Sequence, residues 1–176
     1  LSDWSSDVCS SDLAPLDGEK GLVKVSTIPK GTRSQAWLGW TSLHDYTIQA
    51  DFKATQKGDR LPDMGLINQR YTLDLQGAQR LQIRSWTARL ELRFAKTLDF
   101  KWQADTWYTM KFRSETQGGK VTLRGKVWKR GESEPAEWQI EATDDVPNLQ
   151  GSPGLFGNAT DAEFFVDNVA VNSNQK

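Results

Sequence analysis

The feature that most constrains this chain is a two-residue alternation. Tyr46, Ile48, Ala50, Phe52 and Ala54 are apolar, whereas Thr47, Gln49, Asp51 and Lys53 between them are polar, which is the repeat of a strand with one buried face. The same phasing recurs in Tyr71, Leu73 and Leu75, in Leu81, Ile83 and Ser85, in Leu90, Leu92 and Phe94, in Tyr108, Met110 and Phe112, and in Val121, Leu123, Gly125 and Val127. Between these runs stand Lys57-Gly58-Asp59, Gln76-Gly77, Gln117-Gly118-Gly119 and Arg130-Gly131-Glu132, whose glycines suit tight reversals. No window carries apolar residues at helical spacing. Roughly ten strands broken by turns predict an all-β fold, a two-sheet antiparallel sandwich with little helix, and argue against parallel βαβ units. Residues 143–153, dense in Asp, Asn, Pro and Gly, predict a long loop before the last pair of strands.

Residues 3–13, Asp-Trp-Ser-Ser-Asp-Val-Cys-Ser-Ser-Asp-Leu, have no period and hold the sole cysteine, Cys9. This run resembles a translated sequencing-library adapter. Residues 1–13 are therefore expected to be non-native, and 14–176 to be one domain that has lost its natural N-terminus. Of 23 acidic residues, Asp3, Asp7 and Asp12 fall in the run, leaving 20 against 22 basic ones. Such a balance gives no electrostatic footprint for nucleic acid or an anionic membrane. Without Cys9 there is no disulfide framework, thiolate nucleophile or cysteine-based zinc site. No stretch approaches the roughly 18 consecutive apolar residues that a spanning helix needs.

The closing stretch, Gly151-Ser-Pro-Gly-Leu-Phe-Gly followed by Ala162-Glu-Phe-Phe-Val-Asp-Asn-Val-Ala-Val171, resembles the C-terminal signature of laminin-G-like and concanavalin A-like jelly-roll domains. Leu43-His-Asp-Tyr-Thr-Ile-Gln-Ala-Asp-Phe, Pro62-Asp-Met-Gly-Leu-Ile, Arg70-Tyr-Thr-Leu and Gly125-Lys-Val-Trp-Lys-Arg-Gly-Glu are similar to the C-terminal sandwich of bacterial proteins with an upstream PQQ-type β-propeller. The resemblance implies a concanavalin A-like jelly roll whose opening strand is missing or overwritten. It further implies a non-catalytic accessory domain of a larger exported bacterial protein, periplasmic or extracellular, whose partner is a glycan or its own propeller. Keto-disaccharide hydrolases share this fold, so a glycoside-hydrolase-like domain stands as an alternative. Fold alone does not choose among these.

The residues narrow the choice. Retaining hydrolases place two carboxylates about 5 Å apart, yet no Glu-x-Asp-x-x-Glu strand occurs. Glu132, Glu134 and Glu137, with Glu141, Asp144 and Asp145, read as solvated loop acids. The only histidine, His44, has no Ser or Cys motif beside it and reads as a turn residue. Off the core phase lie Arg84 with Trp86, and Arg124 and Lys126 with Trp128. Indole rings stack on the C–H faces of sugars while guanidinium and amide groups bond their hydroxyls, so Trp86, Trp128, Arg84 and Arg124 are the expected glycan contacts, joined by Arg70, Trp102 and Asn68. The competing reading has Trp86 and Trp128 covering an outer face against loops or a propeller. Trp37, Trp40 and Trp107 are expected to pack the sandwich ends. Because this fold often holds calcium near its termini, Asp167 is the candidate ligand for a calcium ion.

Overall fold

Two-residue patterning is realised as strands throughout. The computed structural model describes residues 11–16, 19–24, 33–159 and 162–174; residues 3–10 of the adapter-like run lie outside them. With strands numbered β1 to β13 in chain order, a seven-stranded antiparallel sheet runs β1 (Ser11–Leu16), β2 (Glu19–Lys24), β13 (Phe164–Ser173), β4 (Tyr46–Ala54), β9 (Tyr108–Gln117), β10 (Lys120–Lys129), β11 (Ile140–Asp144). A six-stranded antiparallel sheet runs β3 (Arg33–Trp37), β12 (Gly154–Asn158), β5 (Asp63–Asn68), β6 (Tyr71–Gln76), β7 (Arg80–Trp86), β8 (Leu92–Asp99). No helix occurs among the described residues. Sequence-distant neighbours such as β13 with β4 and β12 with β5 make the crossovers of a jelly roll. Ser11, Asp12 and Leu13 of the adapter-like run fall in β1, which pairs with β2.

The apolar phase of each strand meets its counterpart between the sheets. Ile48, Phe52, Met110, Phe112, Leu123 and Val127 face Met64, Leu66, Tyr71, Leu73, Leu75, Leu81 and Ile83 in one buried cluster. Gly125 occupies an apolar-phase position because a Cβ there would stand 2.7 Å from Leu73 Cδ1 and 2.8 Å from Ile140 Cγ2. Two segments depart from the pattern. Leu90 lies in a turn at φ 61°, and a register shift between Ser85 and Trp86 leaves Leu92 exposed, so of that triplet only Phe94 packs against the core. The turn between β5 and β6 contains no glycine. Gln69 and Arg70 adopt φ of 48° and 68°, which the sequence does not announce.

A polar group crosses the sandwich at that turn. Asn68, expected among the glycan contacts, is fully buried. Its Nδ2 donates to Tyr46 O at 2.9 Å and to Phe112 O at 3.1 Å, and its Oδ1 accepts from Ser114 Oγ at 2.8 Å. It ties the six-stranded sheet to β4 and β9 of the other. Asn68→Ala removes the side-chain donor to two buried carbonyls and one of the partners of the Ser114 hydroxyl, which keeps Gln69 Oε1, and is expected to cost about 1–3 kcal/mol. A lowered urea midpoint with unchanged slope checks this.

Candidate functional site

The polar phases of the two sheets form two outer faces with different chemistry. On the six-stranded sheet, register aligns Arg33, Asn158, Asp63, Gln76 and Arg80 in one row, and Gln35, Phe156, Gly65, Asp74 and Gln82 in the next. A third row holds Trp37, Gly154, Ile67, Thr72 and Arg84, and Trp86 follows Arg84 on β7. Long side chains lean across this surface. The Arg84 guanidinium lies 5.0 Å from the Phe156 ring although two strands separate them, and Arg33 and Arg84 stand 5.8 and 5.7 Å from the Trp86 ring. Strands are about 4.8 Å apart, so the face must curl toward these groups.

Beneath them Asp74 has no exposed surface. Arg84 Nη2 approaches its Oδ2 at 2.9 Å, and Gln76 Nε2 donates to the same oxygen at 3.1 Å. Burial pushes the Asp74 carboxyl up to about 7, an effect that Arg84 opposes and the nearby charge of Asp63 reinforces. Asp74 Oδ1, Gln76 Oε1 and Arg84 Nε have no hydrogen-bond partner, an uncommon concentration for buried polar atoms. Gln82 Nε2 extends the group to Thr97 Oγ1 at 2.8 Å. At the lower edge Asp63 accepts from Gly77 N at 2.9 Å and Asn158 Nδ2 at 3.3 Å. It also lines a hollow of about 160 Å³ with Arg60, Leu61, Pro62, Asn158 and Ala162.

The expected glycan contacts separate. Trp86, 37% exposed, and Arg84 lie on this face. Arg124 and Trp128 lie on the outer face of the other sheet, on β10, and do not join them. That face is filled by its own charges. Arg124 pairs with Glu115 and Glu141, and Glu134 bridges Lys111 and Lys126, whose ammonium also sits 4.6 Å from the Trp138 ring. Arg70 is an exposed turn residue. Trp102 is buried, donating Nε1–H to Gln76 O at 2.8 Å and packing edge-on against Tyr108, so it presents no surface to a ligand. Asp144 is not a solvated loop acid. It is buried against Arg93 at 2.6 Å and the Tyr71 hydroxyl at 2.6 Å. Burial opposes ionisation, yet these bonds hold its carboxyl below the usual range.

Asp167 stands at a β-bulge, with Arg130 Nη1 at 3.1 Å from its Oδ2. Arg130 Nε also lies 3.3 Å from Asp51 Oδ2. A guanidinium set against both carboxylates does not leave the oxygen cage that calcium requires. Among the described residues no group of three His, Cys, Asp or Glu is placed to hold a metal, and no helix is long and apolar enough to cross a membrane.

Sequence reasoning missed Asp74, Gln76, Gln82 and Phe156, whose polar-phase positions carry no motif. It also misplaced two tryptophans. Trp37 and Trp40 are 48% and 80% exposed. Trp40, Leu43, Leu90, Val146 and Leu149 are exposed on the loops at the end of the sandwich nearest Trp86.

No family model matches the chain, and no curated protein matches its sequence. Its fold is similar to that of the Caenorhabditis elegans galectin LEC-6, at TM-score 0.51 and 12% identity over 80% of this chain and 91% of that one. It is equally similar to an endo-1,3-β-glucanase from Streptomyces sioyaensis, at TM-score 0.51 and 11% identity over 89% and 76%. The fold is thus a concanavalin A-like jelly-roll sandwich.

The buried carboxyl gives a pH signature. Asp74 titrates near 7 when folded against 3.8 ordinarily, so between those values the folded chain holds more protons than the unfolded one. Stability contributed by Asp74 is full below about pH 4 and is lost as pH rises through about 7, by at most about 1.4 kcal/mol per unit. Urea unfolding at about pH 5, 6 and 7 is expected to show this decline, and Asp74→Asn to flatten it.

Proposed function

We propose that this chain is a carbohydrate-binding jelly-roll domain that receives its ligand on the outer face of the six-stranded sheet. The observation that carries the reading is the set of unpartnered atoms Asp74 Oδ1, Gln76 Oε1 and Arg84 Nε beside the partly exposed Trp86. One of the acceptors together with the Arg84 Nε–H donor matches a sugar hydroxyl, which donates one bond and accepts up to two, and the second acceptor is left for a neighbouring hydroxyl. The Arg84 side chain, 12% exposed, is the edge of this group that reaches solvent. The folds of a galectin and of an endo-1,3-β-glucanase support a carbohydrate ligand. The resemblance of residues 43–52, 62–67, 70–73 and 125–132 to the C-terminal sandwich of propeller-bearing proteins supports an accessory role in a larger exported protein.

Affinity electrophoresis through a soluble β-1,3-glucan, a galactan and a xylan tests this. Retardation of the wild type on at least one polymer is expected. Arg84→Ala and Gln82→Ala, with circular dichroism unchanged, are expected to weaken it about tenfold, near 1.4 kcal/mol. No retardation on any polymer contradicts the proposal and favours docking of this face, and the apolar loops at its end, against a neighbouring domain.

A second reading, a glycoside hydrolase, is favoured by one pair. Asp63 and Asp74 share the outer face as diagonal neighbours on β5 and β6, about 7–8 Å apart at Cα. An acid held near 7 beside a second carboxylate is the arrangement of glycosidic acid catalysis. Release of reducing sugar by the wild type, lost in Asp74→Asn and Asp63→Asn, would support it. Polymer retention without release between about pH 4 and 8 contradicts it, those limits bracketing the raised carboxyl.

A further inference from the structure

Among the described residues, the outermost strands of both sheets carry charges or proline. β1 holds Asp12 and Pro15, β3 starts at Arg33, β8 holds Arg93, Lys96 and Asp99, and β11 holds Glu141. Such residues keep the unpaired backbone of a strand from joining another chain. The second half of β13 lacks this protection. β2 pairs with β13 only at Phe164, Phe165 and Val166, whereas β4 follows it on the other side as far as Ser173. Asn168-Val169-Ala170-Val171-Asn172 has neither charge nor proline, and each of the five is exposed.

Backbone direction can be read along this stretch. Asn174 N donates to Asp45 O at 2.9 Å. Hydrogen-bonding direction alternates along an antiparallel strand, so Asn172 and Ala170 also turn their backbone groups to β4, and Val171 and Val169 turn theirs outward. Asn168, at φ 51°, ends the extended run. Val171 aligns with the fully buried Ile48, so it faces the inside of the sandwich, as does Val169 two residues before it. Yet these valines are 39% and 41% exposed. The five residues also read the same in both directions about Ala170. Two antiparallel copies related by a two-fold axis at Ala170 therefore set Val169 against Val171 and Ala170 against itself. A contact that repeats the same surface on both copies would oppose any charge to its own kind, and none is present here.

We propose that this edge of β13 pairs with the same edge of a second copy, joining two seven-stranded sheets into one. Val169 and Val171 of the two copies exchange backbone hydrogen bonds and cover one another's side chains. The axis stands perpendicular to the joined sheet, so both six-stranded sheets lie on one side of it and present their outer faces together. A single short strand pair is at the low end of interface size, which makes the dimer reversible and dependent on concentration. The inference does not depend on the carbohydrate reading.

Sedimentation equilibrium of the full chain between about 10 μM and 1 mM is expected to show the mass rising from 19.8 kDa toward twice that value. Ala170→Lys opposes like charges at the axis. It is expected to hold the mass at 19.8 kDa with circular dichroism unchanged, as is Ala170→Asp, and mixing the two variants restores the dimer. In a Cys9→Ser background, Ala170→Cys is expected to oxidise to a linked dimer, because opposed residues of this kind stand about 4.5 Å apart at Cα, within disulfide reach. Val146→Cys, on an exposed loop, links far more slowly. A mass that stays at 19.8 kDa throughout, a dimer that Ala170→Lys leaves intact, or linkage as fast through Val146→Cys overturns the proposal.

Discussion

A carboxylate with no solvent contact on the outer side of a sheet has to be matched by a partner of the same surface, and the pairing of Asp74 with Arg84 organises the face around it. Leaving either charge alone would be costly, because a buried ion without a partner loses several kcal/mol. Arg84 must therefore lie across the strands, where its guanidinium reaches the rings of Phe156 and Trp86. That cover in turn excludes water from Asp74 and raises its carboxyl. Gln76 and Gln82 complete the group at hydrogen-bond distance. The surface is polar and aromatic, with Arg84 matched to Asp74.

The opposite outer face shows what a structural solution looks like in the same molecule. Lys126 stands opposite Lys111 and Arg124 opposite Arg113 in the ladder, pairs that would repel on a bare sheet. Glu134, from the segment after β10, sits between the two lysines, and Glu115 sits between the two arginines. Each lysine and arginine of those pairs has a carboxylate, and Trp138 covers Lys126. On that face Arg113 Nε alone of these groups lacks a partner, whereas Asp74 Oδ1, Gln76 Oε1 and Arg84 Nε lie together without one on the six-stranded sheet.

How much of this was legible follows from what a two-residue period can report. It identified Tyr46, Ile48, Phe52, Leu73, Ile83, Met110 and Leu123 as core, and all are buried. Glycine-bearing turns such as Gly118-Gly119, at φ of 59° and 77°, were visible because glycine alone takes that conformation at little cost. The turn at Gln69 and Arg70 was invisible, since tertiary bonds rather than residue type stabilise its positive φ. Leu90 and Leu92 misled because the irregularity after Ser85 resets the phase. For the site the limitation is sharper. Alternation says that Trp86 and Trp128 are off the core, yet a sandwich has two outer faces, and only strand order tells which face each residue joins. Asp74 reads as an ordinary polar-phase acid, because the groups that bury it come from β7 and β12.

The most direct measurement is a nuclear magnetic resonance titration of the indole Nε1–H signals with a neutral β-1,3-gluco-oligosaccharide. The account predicts that the signal of Trp86 shifts and saturates while those of Trp128 and Trp138 stay fixed. Shifts confined to Trp128 and Trp138, or no shift in any signal at saturating oligosaccharide, would contradict it.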